Sequence, residues 1–235
     1  PTMMRIHEVS GGNPFYAIDF ARGPADNLKS GALPPTLAEL VRQRIDGFAG
    51  DVREALLAVS CLGTPTADLV GRALGVDADD VFTRLADAED RGIIGVDGDR
   101  VRFSHPLLAH GVYSTAAPAA RREMHCRLAT LVEHDELKAK HLALSATHGD
   151  ADMLRALDVA AATAHRRGAP AAAAEFVELA LSLGGDTLQR RIMLGALHFS
   201  AGDAERARNV LSAVMASEPP GDVGRIADAG AGELV

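Results

Sequence analysis

The histidines are the first side chains of this sequence to consider as metal ligands. His134, His141 and His148 recur every seven residues in a stretch of helical periodicity. Histidine pairs that bind a metal from one helix lie three or four residues apart, whereas a spacing of seven separates the rings by about 11 Å. We therefore expect no metal site at these residues.

The patterns of independent catalysis are missing from the sequence. No G-x-S-x-G elbow and no H-E-x-x-H pair occurs, and Ser60, Ser104 and Ser114 have no neighbouring base and acid that spacing could assign to them. The phosphate-binding pattern G-x-x-x-x-G-K-[ST] is also missing. We predict that this chain is not an enzyme by itself and has no catalytic residues.

Two short segments have the residue types of helix starts. In the Gly-Gly-Asn-Pro segment at residues 11–14, Asn13 is a typical N-cap and Pro14 a typical first residue of a helix. His105 precedes Pro106 in the same way. Residue types alone favour a capping role at both places.

Composition indicates a globular, cytoplasmic protein. The 235 residues are 47% hydrophobic, no apolar run has the length of a membrane span, and the first residues lack the apolar stretch of a signal peptide. A net charge of −8 disfavours non-specific binding to nucleic acid or to an anionic membrane. The two cysteines, Cys61 and Cys126, lie among apolar residues of helical segments, so we expect reduced thiols in the core.

Periodicity predicts a mainly α fold with one β-hairpin. Thr36 and Glu39 have the spacing of a capping box, and further helices are expected over residues 51–62, 66–74 and 77–91. Two short alternating runs then flank the turn Asp97-Gly98-Asp99, which indicates a hairpin. Three helices followed by a hairpin is the order of elements in a winged-helix domain.

The helix expected over residues 77–91 occupies the place of a DNA-recognition helix, but its charge disfavours that role. Its basic residues are Arg84 and Arg91. Its acidic residues are more numerous: Asp77, Asp79, Asp80, Asp87, Glu89 and Asp90. Such a helix repels phosphates, so we expect no direct nucleic-acid contact through this segment and no membrane contact.

The second half of the chain contains an internal repeat. A shift of 34 residues aligns Gly168 with Gly202 and also aligns three pairs of small or apolar residues. These pairs are Ala173 with Ala207, Val177 with Leu211, and Ala180 with Val214. Leu194, Gly195 and Pro219 fall on the spacing of the tetratricopeptide pattern, with His198 where that pattern has tyrosine. We expect tetratricopeptide-like helical hairpins that continue beyond Val235.

Several strings resemble the large ATP-binding LuxR-type transcriptional regulators, which belong to the STAND class of ATPases. R-I-H-E-V-S-G-G-N-P-F-Y-A at residues 5–17 is similar to the lid motif of that family. L-P-P-T-L at residues 33–37, R-E-A-L-L at residues 53–57 and V-R-F-S-H-P-L-L at residues 101–108 agree in order. R-R-G-A-P-A-A-A-A at residues 166–174 is similar to the start of the family's helical sensor region.

The resemblance implies three regions and three nucleotide contacts. Residues 1–49 would be a helical lid remnant of an ATPase module, residues 50–104 a winged-helix domain, and residues 105–235 a tetratricopeptide-like repeat region. Gly12 and Pro14 match the family's G-x-P turn, which packs on adenine and ribose. His105 resembles the winged-helix histidine that reaches the β-phosphate of ADP, although Pro106 replaces the aspartate that usually follows it.

The implied function is signal transduction in transcription regulation. The complete protein would bind ATP or ADP, while this chain by itself would hold no cofactor. Its partners would be the P-loop module of the same protein and a protein or small-molecule effector at the helical repeats. Two other functions stay open: a free-standing helical-repeat adaptor for protein–protein interaction, and a winged-helix DNA-binding protein with a helical oligomerisation region.

Overall fold

A computed structural model describes residues 35–217, and these form a mainly α-helical structure with one antiparallel β-hairpin. The chain divides into two compact units between Met124 and His125. The predicted fold class is therefore confirmed. The helix predicted from Pro14 lies outside the described residues.

Within residues 35–124, the first unit has four helices, the hairpin, one further helix and the start of the next. In chain order these are α1 (Pro35–Asp46), α2 (Gly50–Leu62), α3 (Ala67–Leu74), α4 (Ala78–Asp90), β1 (Ile94–Asp97), β2 (Arg100–Phe103), α5 (Pro106–Thr115) and α6 (Pro118–Leu131). The division between the units falls inside α6.

Local capping explains where the helices of this unit begin. The side chains of Thr66 and Asp77 accept hydrogen bonds from the backbone N–H groups of Leu69 and Asp80, as N-caps do. The capping box predicted at Thr36 requires a helix that begins after Thr36, but α1 begins at Pro35.

The hairpin has the turn that the sequence predicts. Asp97 pairs with Arg100, so Gly98 and Asp99 form a two-residue turn, and Gly98 has a positive φ of 62°. Thr66 forms an isolated bridge with Arg100, which ties β2 to the segment before α3.

The first unit has its core on α2. Helix α2 packs on α3, α4, β2 and α5, and six of its thirteen residues are buried. The largest fully buried side chains here are Leu56, Val59, Val70, Val81, Leu85, Ile93 and Val101. Burying each of these contributes about 1.5–3 kcal/mol relative to leaving it in water.

From His125 to Ser217, the regular structure of the second unit is helical. After the end of α6 come α7 (Asp135–Ser145), α8 (Ala151–Arg166), α9 (Pro170–Ser182), α10 (Leu188–Ser200) and α11 (Ala204–Ser217). Each of these packs against the next one along the chain, and α7 also packs against α9. This is the arrangement that successive helical hairpins produce.

Burial supports the 34-residue repeat at five of its six aligned apolar positions. Ala173, Val177, Ala180, Ala207 and Val214 are buried. Leu211 differs, because 37% of its surface is exposed. Small residues recur in this core since packed helix pairs need alanine or glycine where their backbones approach closely.

Arg190 links the two aligned repeats. Its Nε and Nη2 atoms donate to the two carboxylate oxygens of Asp158 on α8 at 2.9 and 2.7 Å, and Nη1 donates to the carbonyl of Gly185 at 2.6 Å. The guanidinium is thereby held in a bidentate ion pair with little exposure to solvent.

The prediction that both cysteines lie in the core is wrong for Cys126. Both are free thiols. Cys61 is partly buried at the end of α2, but Cys126 is exposed on α6, because the core-facing residues of that helix are Met124, His125, Leu128 and Ala129. Among residues 35–217, no helix is long and apolar enough to cross a membrane.

Candidate functional site

His105 lies at the junction between the hairpin and α5. It is the N-cap of α5, with extended backbone angles (φ −148°, ψ 138°), and its Nδ1 atom accepts a hydrogen bond from the backbone N–H of Leu107 at 3.1 Å. Pro106 follows as the first residue of the helix. Since Nδ1 acts as an acceptor, the neutral ring carries its proton on Nε2.

The residue before His105 fixes this junction to the other end of the hairpin. The Ser104 hydroxyl donates to the carbonyls of Gly92 and Ile93 at 2.6 and 3.1 Å, and the Ser104 backbone N–H donates to the Ile93 carbonyl at 3.0 Å. The imidazole is therefore positioned by two ordered elements, the base of the hairpin and the first turn of α5. Such a position suits a ligand contact because little conformational entropy is lost on binding.

The other two residues assigned to nucleotide binding, Gly12 and Pro14, lie outside the described residues. The structure therefore places only His105 of the three. The capping role that residue types favour for His105 is present, through the bond from the Leu107 N–H to Nδ1.

The exposed face of α4 is acidic. Its five acidic residues and the preceding cap, Asp77, are exposed, while Val81, Leu85 and Ala88 are buried. Arg91 is drawn into an ion pair with Asp87 at 2.7 Å and stacks over the Phe48 ring at 4.7 Å. This surface is a poor partner for a phosphate backbone.

A cleft in the second unit is a candidate ligand site that sequence reasoning did not find. Its volume is about 340 Å³, which lies within the range of small-molecule pockets. Its lining combines charged and apolar side chains from α7, the end of α8 and α9: His134, Glu136, Leu137, Lys140, Arg167, Ala172, Glu175 and Phe176.

Two ion pairs lie at this cleft. Arg167, just after α8, pairs with Glu136 in the first turn of α7, and the Glu136 side chain is buried. Lys140 pairs with Glu175 of α9 at 3.0 Å, and both of these side chains are well exposed. Exposed ion pairs contribute little stability and exchange partners readily, so Lys140 and Glu175 could turn to a charged ligand.

A buried pair of histidines also escaped sequence reasoning. His125 on α6 and His141 on α7 face each other with their Nδ1 atoms 2.8 Å apart. His141 is one of the three histidines at seven-residue spacing, but its neighbour in space is sixteen residues away in sequence. Burial, with a smaller effect from the Lys140 charge, lowers the pKa of His141.

The other two histidines of that series lie at the ends of α7. His134 is the residue before its first turn and His148 follows its end, and both are exposed. Within residues 35–217, no three His, Cys, Asp or Glu side chains form a group that could hold a metal ion.

Comparison with protein-family models, with curated proteins and with solved structures gave no match.

Proposed function

We propose that this chain is the regulatory and sensor segment of an ATP-dependent transcriptional regulator of the LuxR type, in which it couples nucleotide state to effector binding. The observation that carries the proposal is the position of His105. It directly follows a hairpin preceded by helices, and it caps the helix that begins there. The sequence around it, residues 101–108, resembles the corresponding segment of that family.

The chemistry at His105 suits an anionic ligand. An imidazole with Nδ1 bound to the helix carries its proton on Nε2, and an Nε2–H group donates well to a phosphate oxygen. The first turn of a helix favours negative charge because its N–H groups have no intrahelical acceptors. In the complete protein the phosphates would be held mainly by the P-loop module, and His105 would add one contact to ADP.

The cleft of the second unit supports the sensor half of the proposal. It combines an apolar floor at Phe176 with charged groups at Lys140, Arg167 and Glu175, which is the composition expected of a site that orients a small ligand. We place the effector there, with a protein effector on the same helices as the other possibility.

The proposed mechanism is a two-state switch. Contacts of ADP with His105, Gly12 and Pro14 favour the closed state, and effector contacts with the helical repeats favour the open state. Each ligand can shift the equilibrium only by the difference between its affinities for the two states, and the coupling is reciprocal. The effector must therefore weaken ADP binding by the same factor by which ADP weakens effector binding.

The first test is made on the complete protein encoded by the reading frame that contains this segment. Its ADP affinity is measured for the wild type, His105→Ala and His105→Asn. Asparagine is a good N-cap and preserves α5, but it lacks the imidazole. A hydrogen bond to a charged group contributes about 1.5–3 kcal/mol, so both variants should lose ADP affinity by roughly ten- to a hundredfold.

His148→Asn is the matched control, because His148 is exposed and lies in the other unit. It should bind ADP like the wild type. Unchanged affinity in both His105 variants would overturn the nucleotide contact. A reading frame without a P-loop would overturn the whole proposal in favour of a free-standing adaptor.

A further inference from the structure

The contact between His125 and His141 limits how many protons the two rings can bind. Their Nδ1 atoms are 2.8 Å apart, the ring centroids are 5.1 Å apart, and the rings are 2% and 3% exposed. At this distance one Nδ1 must carry a proton and the other must accept it. The contact therefore tolerates a neutral pair, or a pair with one added proton, but not two imidazolium rings.

The groups near His141 do not favour added charge. Ala139 and Ala143, which flank His141 on α7, belong to an apolar core that also contains Leu157, Ala161 and Val177 of α8 and α9. On α7 the charged neighbour of His141 is Lys140, which points to Glu175 of α9. One turn earlier, Glu136 is held by Arg167. Burial and the Lys140 charge both oppose protonation of His141.

Acidification therefore disfavours the closed form, in which the two rings are in contact. In the open form, α7 has separated from α6. Once α7 separates from α6, both rings are hydrated and take up protons near the ordinary histidine pKa of about 6.5. A proton that binds to the open form but not to the closed form shifts the equilibrium towards the open form. Below the ordinary histidine pKa, each such proton raises the ratio of open to closed form by about tenfold per pH unit. Near pH 5.5 the second proton alone gives roughly a tenfold increase.

We propose that the His125–His141 contact is a proton-sensitive latch between α6 and α7. It is closed when at most one proton is added to the pair and opens when both rings become charged. Helix α6 contains the division between the two compact units, so the latch acts on the segment through which the units are covalently joined. Its use in signalling rests on the proposed function; the latch itself does not.

Hydrogen–deuterium exchange on the full chain without nucleotide tests the latch. Exchange of the α7 amides is compared at about pH 7.5 and about pH 5.5, after correction for the intrinsic effect of pH on exchange. In the wild type, protection of α7 should fall by about tenfold or more at the lower pH, while the amides of α2 change little. Equal protection of α7 at both pH values would overturn the proposal.

Variants separate the latch from a general effect of acid. His141→Gln keeps a side chain that can pair with His125 but does not titrate, so the loss of α7 protection should disappear. His148→Gln removes an exposed histidine three residues beyond α7 and should behave as the wild type. A loss of α7 protection that persists in His141→Gln would overturn the proposal.

Two further measurements test the latch without relying on the folding of the His141→Gln variant. The double variant His125→Leu/His141→Met replaces the polar contact by apolar side chains of similar size, which buried sites often tolerate. It too should retain α7 protection at about pH 5.5. The imidazole signals of the wild type are followed by NMR: opening of α7 while both rings stay neutral would refute the latch. Because no nucleotide is present, these outcomes do not depend on the ADP experiment.

Discussion

Gly71 in α3 lies against the backbone carbonyl of Val76. A Cβ atom at position 71 would be 2.6 Å from the Val76 oxygen and 3.1 Å from the carbonyl oxygen of Asp77. The Val76 N–H also donates to the Gly71 carbonyl at 3.0 Å, so the chain folds back over the end of α3 at this residue. Any larger residue at position 71 must push the backbone that leads into α4.

Gly71→Ala should therefore destabilise the protein. Alanine is the better helix former by about 1 kcal/mol, but displacing backbone in a packed site costs about 1–3 kcal/mol and also weakens the bond from Val76. We expect a net loss of about 1–2 kcal/mol in the free energy of unfolding, measured by urea denaturation.

Gly50→Ala is the control for this substitution. Gly50 is the first residue of α2, and a Cβ atom there would meet nothing within 4 Å. That variant should have the stability of the wild type or slightly more. If Gly71→Ala were as stable as Gly50→Ala, the close approach at Val76 would be wrong.

Local sequence signals predicted the elements of the first unit well. The caps at Thr66 and Asp77 and the turn at Gly98 act through neighbours at most three residues away, and such effects can be recognised without knowledge of the fold. The capping box at Thr36 failed because Pro35 already occupies the first turn of α1.

The candidate sites were predictable only where they depend on neighbouring residues. His105 was identified because its place before Pro106 is visible in the sequence. The His125–His141 contact joins side chains of two different helices, and nothing in the spacing of either residue indicates it. The same holds for the cleft, whose lining residues come from three separate helical segments.

Gly195 and Leu211 provide a test of the repeat. A Cβ atom at position 195 would be 2.6 Å from Cγ and Cδ2 of Leu211, so α10 and α11 meet at this pair. Gly195→Ala should cost about 1 kcal/mol in the wild type. In a Leu211→Ala background the obstruction is gone, and the same change should stabilise by roughly 0.5–1 kcal/mol through helix propensity.

A double-mutant cycle by chemical denaturation measures this change of sign. Leu211→Ala alone should be only moderately destabilising, because the side chain is 37% exposed. Equal effects of Gly195→Ala in both backgrounds would show that the two helices do not meet at these residues.

Arg190 should stabilise the second unit through geometry as well as charge. Arg190→Lys keeps the positive charge but cannot form the bidentate pair with Asp158 or reach Gly185 at the same time. We expect Arg190→Lys and Arg190→Met each to lower the free energy of unfolding by about 1–3 kcal/mol.

Arg191→Met is the matched control. Arg191 also forms a paired contact, with Asp186, but its side chain is 38% exposed, against 14% for Arg190. Its loss should cost about 0–1 kcal/mol. Comparable losses at positions 190 and 191 would argue against a special role for the link between α8 and α10.

The two cysteines should differ sharply in reactivity. Burial raises the pKa of Cys61 to about 11, whereas Cys126 is exposed. The thiolate is the reactive form, so at pH 8 only about one Cys61 side chain in a thousand is reactive. A disulfide reagent such as DTNB should modify one thiol quickly and the other slowly. Cys126→Ser should remove the fast phase and Cys61→Ser should leave it intact.

As pH rises towards 11, the slow phase of Cys61 should accelerate by about tenfold per pH unit, because the thiolate fraction grows by that factor. Two fast phases of equal size at pH 8 would contradict the burial of Cys61.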